Sequence, residues 1–235
     1  MTKALGIEFA PLHIPLERRK QTSAVLFFVF LFLQGMSLLG FTLFVYLLFT
    51  RLYFLSLAYA AWYVYDRHSC HRGSHPNDWV RRWKLWKHFA DYFPIELVKT
   101  VDLDPRRNYL FGISPHGVMC FSAFANFATE ATGFSDKFPG LRSHLITLNG
   151  QYKSPLMREF FMLSGAVCCE EKGIKYILEN RGQCRDKGQV CALLVGGARE
   201  SIESYPDRYR LILTKRRGFV RIALQTGTSL VPVIS

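Results

Sequence analysis

The sequence lacks the cysteine patterns that mark common structural sites. Its six cysteines form no Cys-x-x-Cys pair, no cysteine–histidine spacing of a zinc site and no disulfide framework. The chain also lacks the Gly-x-Ser-x-Gly elbow of the commonest lipase mechanism, and the spacings of zinc-finger or helix-turn-helix modules. We therefore expect reduced thiols in a cytosolic setting, no metal and no nucleic-acid partner, and we rank a lipid esterase third among the functions considered.

Acidic residues are few: 18 Asp and Glu stand against 30 Lys and Arg, a formal net charge of +12. Charge is almost absent from residues 24–65, where Arg51 is the only charged side chain. A helix needs about 20 apolar residues to cross a bilayer, so this run is long enough for two crossings that break near Thr50-Arg51 or at 35–40. Basic residues on both flanks favour a hairpin with cytosolic ends and contact with membrane lipid. A single crossing with an interfacial second segment is the alternative.

Four segments follow from this pattern: a cytosolic segment at 1–23, a membrane hairpin at 24–65, a basic juxtamembrane segment at 66–103 and an α/β domain at 104–235. Strands are predicted over 109–113, 145–148, 166–169, 189–195, 211–213 and 229–234, and helices over 117–128, 155–163, 172–180 and 218–225. Such alternation predicts a largely parallel sheet with flanking helices. Because the last strand has no helix after it, we expect a domain that is incomplete at its carboxyl end.

One histidine stands out in this pattern. His116 follows the strand at 109–113 in the turn Ser114-Pro115-His116-Gly117. That turn places the imidazole at the carboxyl end of a strand, where open α/β sheets carry their chemistry. His116 is therefore the candidate general base. A purely structural histidine is the alternative.

Seven short blocks occur in the order of a known family. They are Pro115-His116-Gly117, residues 123–127 with Thr129-Glu130, Phe138-Pro139-Gly140, Arg158-Glu159, Gly196-Gly197-Ala198 with Glu200, Arg217-Gly218-Phe219-Val220, and Val231-Pro232. On these blocks the chain resembles the type-two diacylglycerol acyltransferase, monoacylglycerol acyltransferase and wax synthase family over essentially its whole length. Residues 8–12, 17–19 and 91–100 look most like the monoacylglycerol branch.

The resemblance implies a glycerolipid-acyltransferase-like fold and a membrane hairpin in the endoplasmic reticulum with the catalytic domain in the cytosol. It also implies acyl transfer from acyl-CoA, a co-substrate rather than a bound cofactor, to 2-monoacylglycerol, which forms diacylglycerol in triacylglycerol synthesis. Diacylglycerol or a fatty alcohol as acceptor stays open, and so does an inactive membrane or scaffold product. Homo- or hetero-oligomers in the membrane are a further expectation.

The chain departs from the family pattern at two places. The family block is usually His-Pro-His-Gly, whereas Ser114 stands at the first histidine position here. The resemblance also implies a chain that continues beyond the Val-Pro strand. Ser114 is not predicted to be a nucleophile, because the residue before a proline is held extended and no second histidine lies nearby to activate it.

A general base benefits from a carboxylate that fixes its tautomer. Glu200 follows the strand at 189–195, whose carboxyl end would lie beside His116 in a parallel sheet. Glu130, from a family block, is the second candidate. It lies 14 residues beyond His116, which is roughly 21 Å along a straight helix. Direct pairing with Glu130 would therefore require a break in that helix.

Acyl-CoA would need sites for its phosphates and for the oxyanion of the reaction. Glycine pairs let backbone N–H groups approach a ligand closely, and cations before a helix attract phosphates. The candidate co-substrate-binding residues are Gly117, Gly196, Gly197, Arg158, Lys215, Arg216 and Arg217. A turn at the glycines and a solvated basic surface at the cations are the alternatives.

Overall fold

The computed structural model describes residues 2–4, 7–9, 14–179, 188–205, 210–214 and 216–235. Its strands are β1 (Thr2–Ala4), β2 (Ile7–Phe9), β3 (Tyr109–Ile113), β4 (Leu141–Thr147), β5 (Val167–Cys168), β6 (Gly188–Leu194) and β7 (Ser229–Val233). β1 and β2 form a separate antiparallel pair. The other five strands form one sheet in the order β5-β4-β6-β3-β7.

Every pairing in the five-stranded sheet is parallel. Parallel strands are buried on both faces and need near-continuous apolar sequence, as β3 and β6 have. Phe111 and Val190 belong to the core on one face, and Leu110 and Cys191 to the core on the other. The predicted parallel sheet with flanking helices is confirmed.

Helices cover both faces of this sheet. They are α1 (Leu16–Phe32), α2 (Gly35–Leu48), α3 (Tyr53–Asp66), α4 (Asp78–Arg81), α5 (Lys84–Tyr92), α6 (Phe121–Ala123), α7 (Phe134–Lys137), α8 (Met157–Leu163), α9 (Glu171–Leu178), α10 (Ala198–Ile202) and α11 (Gly218–Thr226). Ile177 of α9 and Ile222 of α11 pack on the face that carries Leu110. Phe89 of α5 and Phe160 of α8 belong to the core on the opposite face.

The apolar run at 24–65 is divided among three helices. The chain turns between α1 and α2 at Gln34, which has a left-handed backbone with φ 64°. A second break, between α2 and α3, contains Thr50 and Arg51. Phe28 of α1 packs on Phe89 of α5 with ring centroids 4.8 Å apart, which attaches the first helix to the α/β domain. The break expected near Thr50-Arg51 is present, whereas residues 35–40 lie within α2 and the first turn falls just before them, at Gln34.

Membrane insertion was also expected for this run. Among the described residues no single helix has both the length and the apolar character to span a bilayer. α1 and α2 meet those criteria only as a pair, with a bend of 67° between them. This finding concerns length and composition alone, so the hairpin stays a prediction.

Three predicted elements differ in the structure. Residues 117–120 form a turn instead of the first turn of a helix, because Gly117 and Cys120 adopt φ values of 66° and 53°. The helix begins at Phe121 and continues through a π-helical turn at 124–128. The strand predicted over 211–213 was wrong, since Leu211 and Leu213 are exposed and the described residues offer them no strand partner. The predicted helix at 172–180 ends at Leu178, and residue 180 lies outside the described residues.

Candidate functional site

His116 lies in the turn that leaves β3 at the carboxyl edge of the sheet. The Ser114-Pro115 peptide bond is cis, and Gly117 has a left-handed backbone with φ 66° that other residues rarely adopt. The imidazole is buried, with 4% of the residue exposed. Its Nδ1 lies 2.9 Å from the carbonyl oxygen of Gly117. The local sequence thus directs the ring inward at the end of the strand.

Glu200 reaches the same edge from β6. Ile113 of β3 is level with Leu194 of β6 in the parallel register, and the N–H of Val195 donates to the carbonyl of Ile113 at 3.2 Å. The two chains therefore leave the sheet side by side. After the Gly196-Gly197 turn, α10 begins at residue 198 and buries Glu200 beneath the turn.

The imidazole and the carboxylate face each other. His116 Nε2 lies 3.8 Å from Glu200 Oε1, and both side chains are only 2% exposed. Nε2 also lies 3.2 Å from the carbonyl oxygen of Gly197. Each ring nitrogen therefore has an oxygen acceptor close by, which suits the imidazolium that forms when the ring takes a proton. The structure brings these two predicted site residues together.

The other carboxylate oxygen has its own donors. Ser114 Oγ donates a hydrogen bond of 2.7 Å to Glu200 Oε2. The N–H of Ile212 lies 3.4 Å from the same oxygen. Oε1, by contrast, is buried without a hydrogen-bond partner among the described residues. The sequence showed Ser114 only as a departure from a motif, because its contact with Glu200 spans 86 positions of the chain.

The space for this carboxylate depends on Gly196. A Cβ at that residue would stand 2.0 Å from Glu200 Oε2 and 2.5 Å from Glu200 Cβ. Contacts this short do not occur in folded proteins. Gly196 is therefore required for the packing of Glu200.

Cys120 is a site residue that the sequence did not reveal. Its Sγ lies 3.2 Å from His116 Nδ1, on the side of the ring opposite Glu200. Burial, with a smaller contribution from the Glu200 charge, raises the pKa of this thiol to about 11. It stays protonated near neutral pH. Only the four-residue spacing from His116 could have suggested the contact.

A cavity opens beside the Nδ1 face of His116. Its volume is about 380 Å³, and His116, Gly117 and Cys120 form part of its wall. Phe93 and Phe121 add apolar surface. The cavity wall therefore combines the turn that carries His116 with apolar surface.

Glu130 has other partners. Arg81 Nη2 donates to its Oε1 at 3.2 Å, and Ser135 Oγ donates to the same oxygen at 2.9 Å. The N–H of Ser135 donates to Oε2 at 3.0 Å. Arg81 itself is buried and also binds main-chain carbonyls, among them Ser164 O at 2.6 Å. The structure thus places Glu130 in a network that neutralises a buried arginine, and does not bring it to His116.

Arg158, which was expected to contact acyl-CoA, is engaged in a buried ion pair. Its guanidinium pairs with the Asp66 carboxylate and is only 2% exposed. Nη2 donates to the Asp66 carbonyl at 2.7 Å, and Nη1 donates to Glu159 Oε1 at 2.9 Å. A buried and paired guanidinium offers no free face to a phosphate. This corrects its assignment as an acyl-CoA contact.

The basic group before α11 lies partly at the site. Arg216 is exposed and donates from Nη2 to the carbonyl of Gly196 at 3.0 Å. Arg217 is exposed at the amino end of α11. Lys215 lies outside the described residues. Arg216 therefore links the cationic segment to the glycine turn.

One group of metal-ligand types occurs elsewhere in the described residues. His71, Cys168 and Glu170 each bring one ligand atom within 4.8 Å of the others. Glu170 is already engaged, because it accepts a hydrogen bond from Asn149 at 2.8 Å and pairs with Lys172 at 2.8 Å. The expectation that the chain holds no metal stays a prediction.

Comparisons with known proteins identify relatives of the chain. The sequence model of the family described as diacylglycerol acyltransferase matches residues 45–235. Homo sapiens 2-acylglycerol O-acyltransferase 1 is 43% identical over 233 residues, which are 98% of this chain and 68% of that protein. Danio rerio diacylglycerol O-acyltransferase 2 is 45% identical over 181 residues, 77% of this chain and 49% of that protein. Homo sapiens acyl-CoA wax alcohol acyltransferase 1 is 47% identical over 181 residues, 77% of this chain and 54% of that protein. No solved structure matches the chain.

Proposed function

Because the chain belongs to the diacylglycerol acyltransferase family, we propose that it transfers a fatty acyl group from acyl-CoA to 2-monoacylglycerol and forms diacylglycerol. The family and the acyltransferase class predicted from the motifs are confirmed. The acceptor, and the role of each site residue, are part of the proposal. The observation that carries it is the buried pair of His116 and Glu200 at the carboxyl edge of the sheet.

His116 is the general base of the proposed reaction. In its neutral form the imidazole carries a proton on one ring nitrogen, and the other ring nitrogen takes the proton from the acceptor hydroxyl. The alkoxide oxygen attacks the thioester carbon, and the tetrahedral intermediate then releases CoA, whose sulfur takes the proton back. General bases of this kind contribute about 10²- to 10⁴-fold to a rate. Glu200 stabilises the imidazolium between the two proton transfers.

Acyl-CoA is the proposed co-substrate, and its anionic groups need cations. Arg216 lies against the Gly196 carbonyl next to the catalytic pair, which supports a role for it in phosphate binding. We keep Arg217 and Lys215 in the same role because both are adjacent to Arg216 in the sequence. The backbone of Gly117, Gly196 and Gly197 is proposed to contact the thioester and its oxyanion.

We propose 2-monoacylglycerol as the acceptor because of how much of the chain is covered by each relative. The relative named for 2-acylglycerol matches 98% of this chain, whereas the relatives named for diacylglycerol and wax alcohol match 77%. The longer match includes the amino-terminal residues that resembled the monoacylglycerol branch. The rate of transfer to 2-monoacylglycerol therefore has to be compared with the rates of transfer to diacylglycerol and to a fatty alcohol.

A membrane location is proposed for the same chain. α1 and α2 together have the length and composition of a bent insertion, and basic residues lie on both sides of residues 24–65. We propose that this segment enters the endoplasmic reticulum membrane and that residues 104–235 face the cytosol. An apolar acceptor dissolved in the bilayer would then be close to the cavity beside His116.

The test is an acyl-transfer assay in microsomes that contain the full chain. Labelled acyl-CoA is offered with 2-monoacylglycerol, diacylglycerol or a fatty alcohol, and the labelled product is identified. We expect diacylglycerol as the main product, and His116→Ala should lower its rate by about 10²-fold or more. His68→Ala removes an exposed histidine and is the matched control.

Three results would refute this proposal in part or in whole. Full activity of His116→Ala would exclude His116 as the base. Faster transfer to diacylglycerol or a fatty alcohol would replace the acceptor while leaving the acyltransferase class intact. No product from any acceptor, in microsomes where the chain is present, would instead support the inactive product of the same family.

A further inference from the structure

We propose that Ser114 is a positioning residue, whose hydroxyl holds Glu200 so that the second carboxylate oxygen faces His116. The inference rests on the proposed function and adds a residue to its mechanism. It also gives a role to the position at which this chain departs from the usual family motif.

The two oxygens of Glu200 have different surroundings. Oε2 accepts the 2.7 Å hydrogen bond from Ser114 Oγ, whereas Oε1 has no hydrogen-bond partner among the described residues and lies 3.8 Å from His116 Nε2. A carboxylate is rigid and planar, so a donor that fixes one oxygen also decides where the other points. Hydrogen bonds of catalytic groups are often long before substrate binds and tighten in the complex. A separation of 3.8 Å suits a partner that closes on the imidazolium.

Ser114 is itself firmly held, as a positioning residue must be. Its N–H donates to the carbonyl of Val233 in β7 at 3.0 Å. The residue follows β3 directly, precedes Pro115, and is only 8% exposed. The proline restricts the backbone of Ser114 to extended conformations. Its hydroxyl is thus a fixed point between the sheet and α10.

Glu200 needs such a fixed point. A glutamate side chain has several rotatable bonds, and ordering it has an entropic cost. Ile212 N is the second donor to Oε2, but at 3.4 Å it is the longer contact. Both donors meet the same carboxylate oxygen, and the Ser114 contact, at 2.7 Å, is the shorter and therefore contributes most to this ordering.

The experiment compares kcat and KM of Ser114 variants in the microsomal assay. Ser114→Ala removes the donor, and we expect kcat to fall about 10- to 100-fold, the range for a lost hydrogen bond to a charged group. KM values for acyl-CoA and acceptor should stay within about 2-fold, because the interaction acts in the transition state. Ser114→Thr keeps the hydroxyl and should keep most of the activity.

A matched control and a double-mutant cycle separate positioning from a general loss of structure. Ser135→Ala removes another serine–glutamate hydrogen bond, of 2.9 Å to Glu130, and should leave kcat unchanged. Ser114→Ala should have almost no further effect when Glu200 is already Gln, because both changes disable the same carboxylate.

The outcomes distinguish this inference from the proposed function. Loss of activity in His116→Ala together with a Ser114→Ala kcat equal to wild type would overturn the role of Ser114 alone. An equal effect of Ser114→Ala with and without Glu200 would also overturn it, and so would a Ser114→Thr variant as slow as Ser114→Ala. A wild-type chain that forms no acyl-transfer product would refute the proposed function itself.

Discussion

Gly196 lies so close to Glu200 that a Cβ at residue 196 would stand 2.0 Å from the carboxylate oxygen Oε2. That oxygen is the one bound by Ser114. The glycine therefore controls the space in which the proposed catalytic carboxylate lies. A side chain added at this residue should act on catalysis by displacing Glu200.

Gly196→Ala should displace Glu200 and separate it from His116. We expect kcat to fall about 10²-fold, because the base then lacks its carboxylate. The measurement is the microsomal assay with saturating acyl-CoA. Gly150→Ala is the matched control, because a Cβ at Gly150 meets nothing within 4 Å. Normal kcat in Gly196→Ala would show that the carboxylate can move without consequence.

Arg158→Ala should act on stability instead of acyl-CoA binding. The change leaves the buried Asp66 carboxylate without its arginine, and breaking a buried ion pair costs about 3–5 kcal/mol. We expect a lower midpoint of thermal unfolding in detergent, with an unchanged KM for acyl-CoA in the fraction that folds.

The comparison variant for that experiment is Arg216→Ala. Arg216 is exposed beside the glycine turn, so its loss should raise the KM for acyl-CoA with little effect on unfolding. If Arg158→Ala raises the KM for acyl-CoA and leaves the midpoint of thermal unfolding unchanged, Arg158 would instead be assigned to phosphate binding.

Cys169 should be alkylated earlier than Cys120. A hydrogen bond from the neighbouring Cys168 thiol lowers the pKa of exposed Cys169, whereas burial raises that of Cys120 to about 11. A thiol with a lowered pKa is a thiolate above that value. Labelling of Cys169 by iodoacetamide should therefore rise and level off at a lower pH than labelling of an ordinary thiol, whose pKa is about 8.5.

Mass spectrometry of the labelled peptides gives both rates. Cys168→Ala removes the donor and should return the Cys169 profile to that of an ordinary thiol, with a rise up to about pH 8.5. If the labelling rate of wild-type Cys169 keeps rising up to about pH 8.5, as for an ordinary thiol, the assigned hydrogen bond would be contradicted.

The central part of the fold follows from local sequence signals. The apolar runs of β3 and β6, each followed by a glycine-containing turn, indicate two buried parallel strands, and their carboxyl ends place His116 and Glu200 at one edge. Side-chain periodicity and turn chemistry are sufficient for this level of description. The sequence also favoured Glu200 over Glu130 as the partner of His116, because Glu130 would lie roughly 21 Å from His116 along a straight helix.

Other features depend on contacts that sequence spacing does not show. Arg158 carries the same charge whether it meets a phosphate or Asp66, and its partner lies 92 positions away. The run 211–213 is apolar enough for a strand but lies on the surface. The left-handed backbone at Cys120 could not be predicted, because the residue is not a glycine. Tertiary packing determines each of these outcomes.

The level register of Ile113 with Leu194 also bears on when the site can form during synthesis. β3 and β6 are adjacent in the sheet but separated by some 80 residues of chain, and pairing across such a separation is slow because a long loop must close first. On the ribosome, His116 emerges long before Glu200. The imidazole therefore lacks its carboxylate partner until β6, the middle strand, has joined the sheet. The appearance of acyltransferase activity should then follow the formation of the sheet.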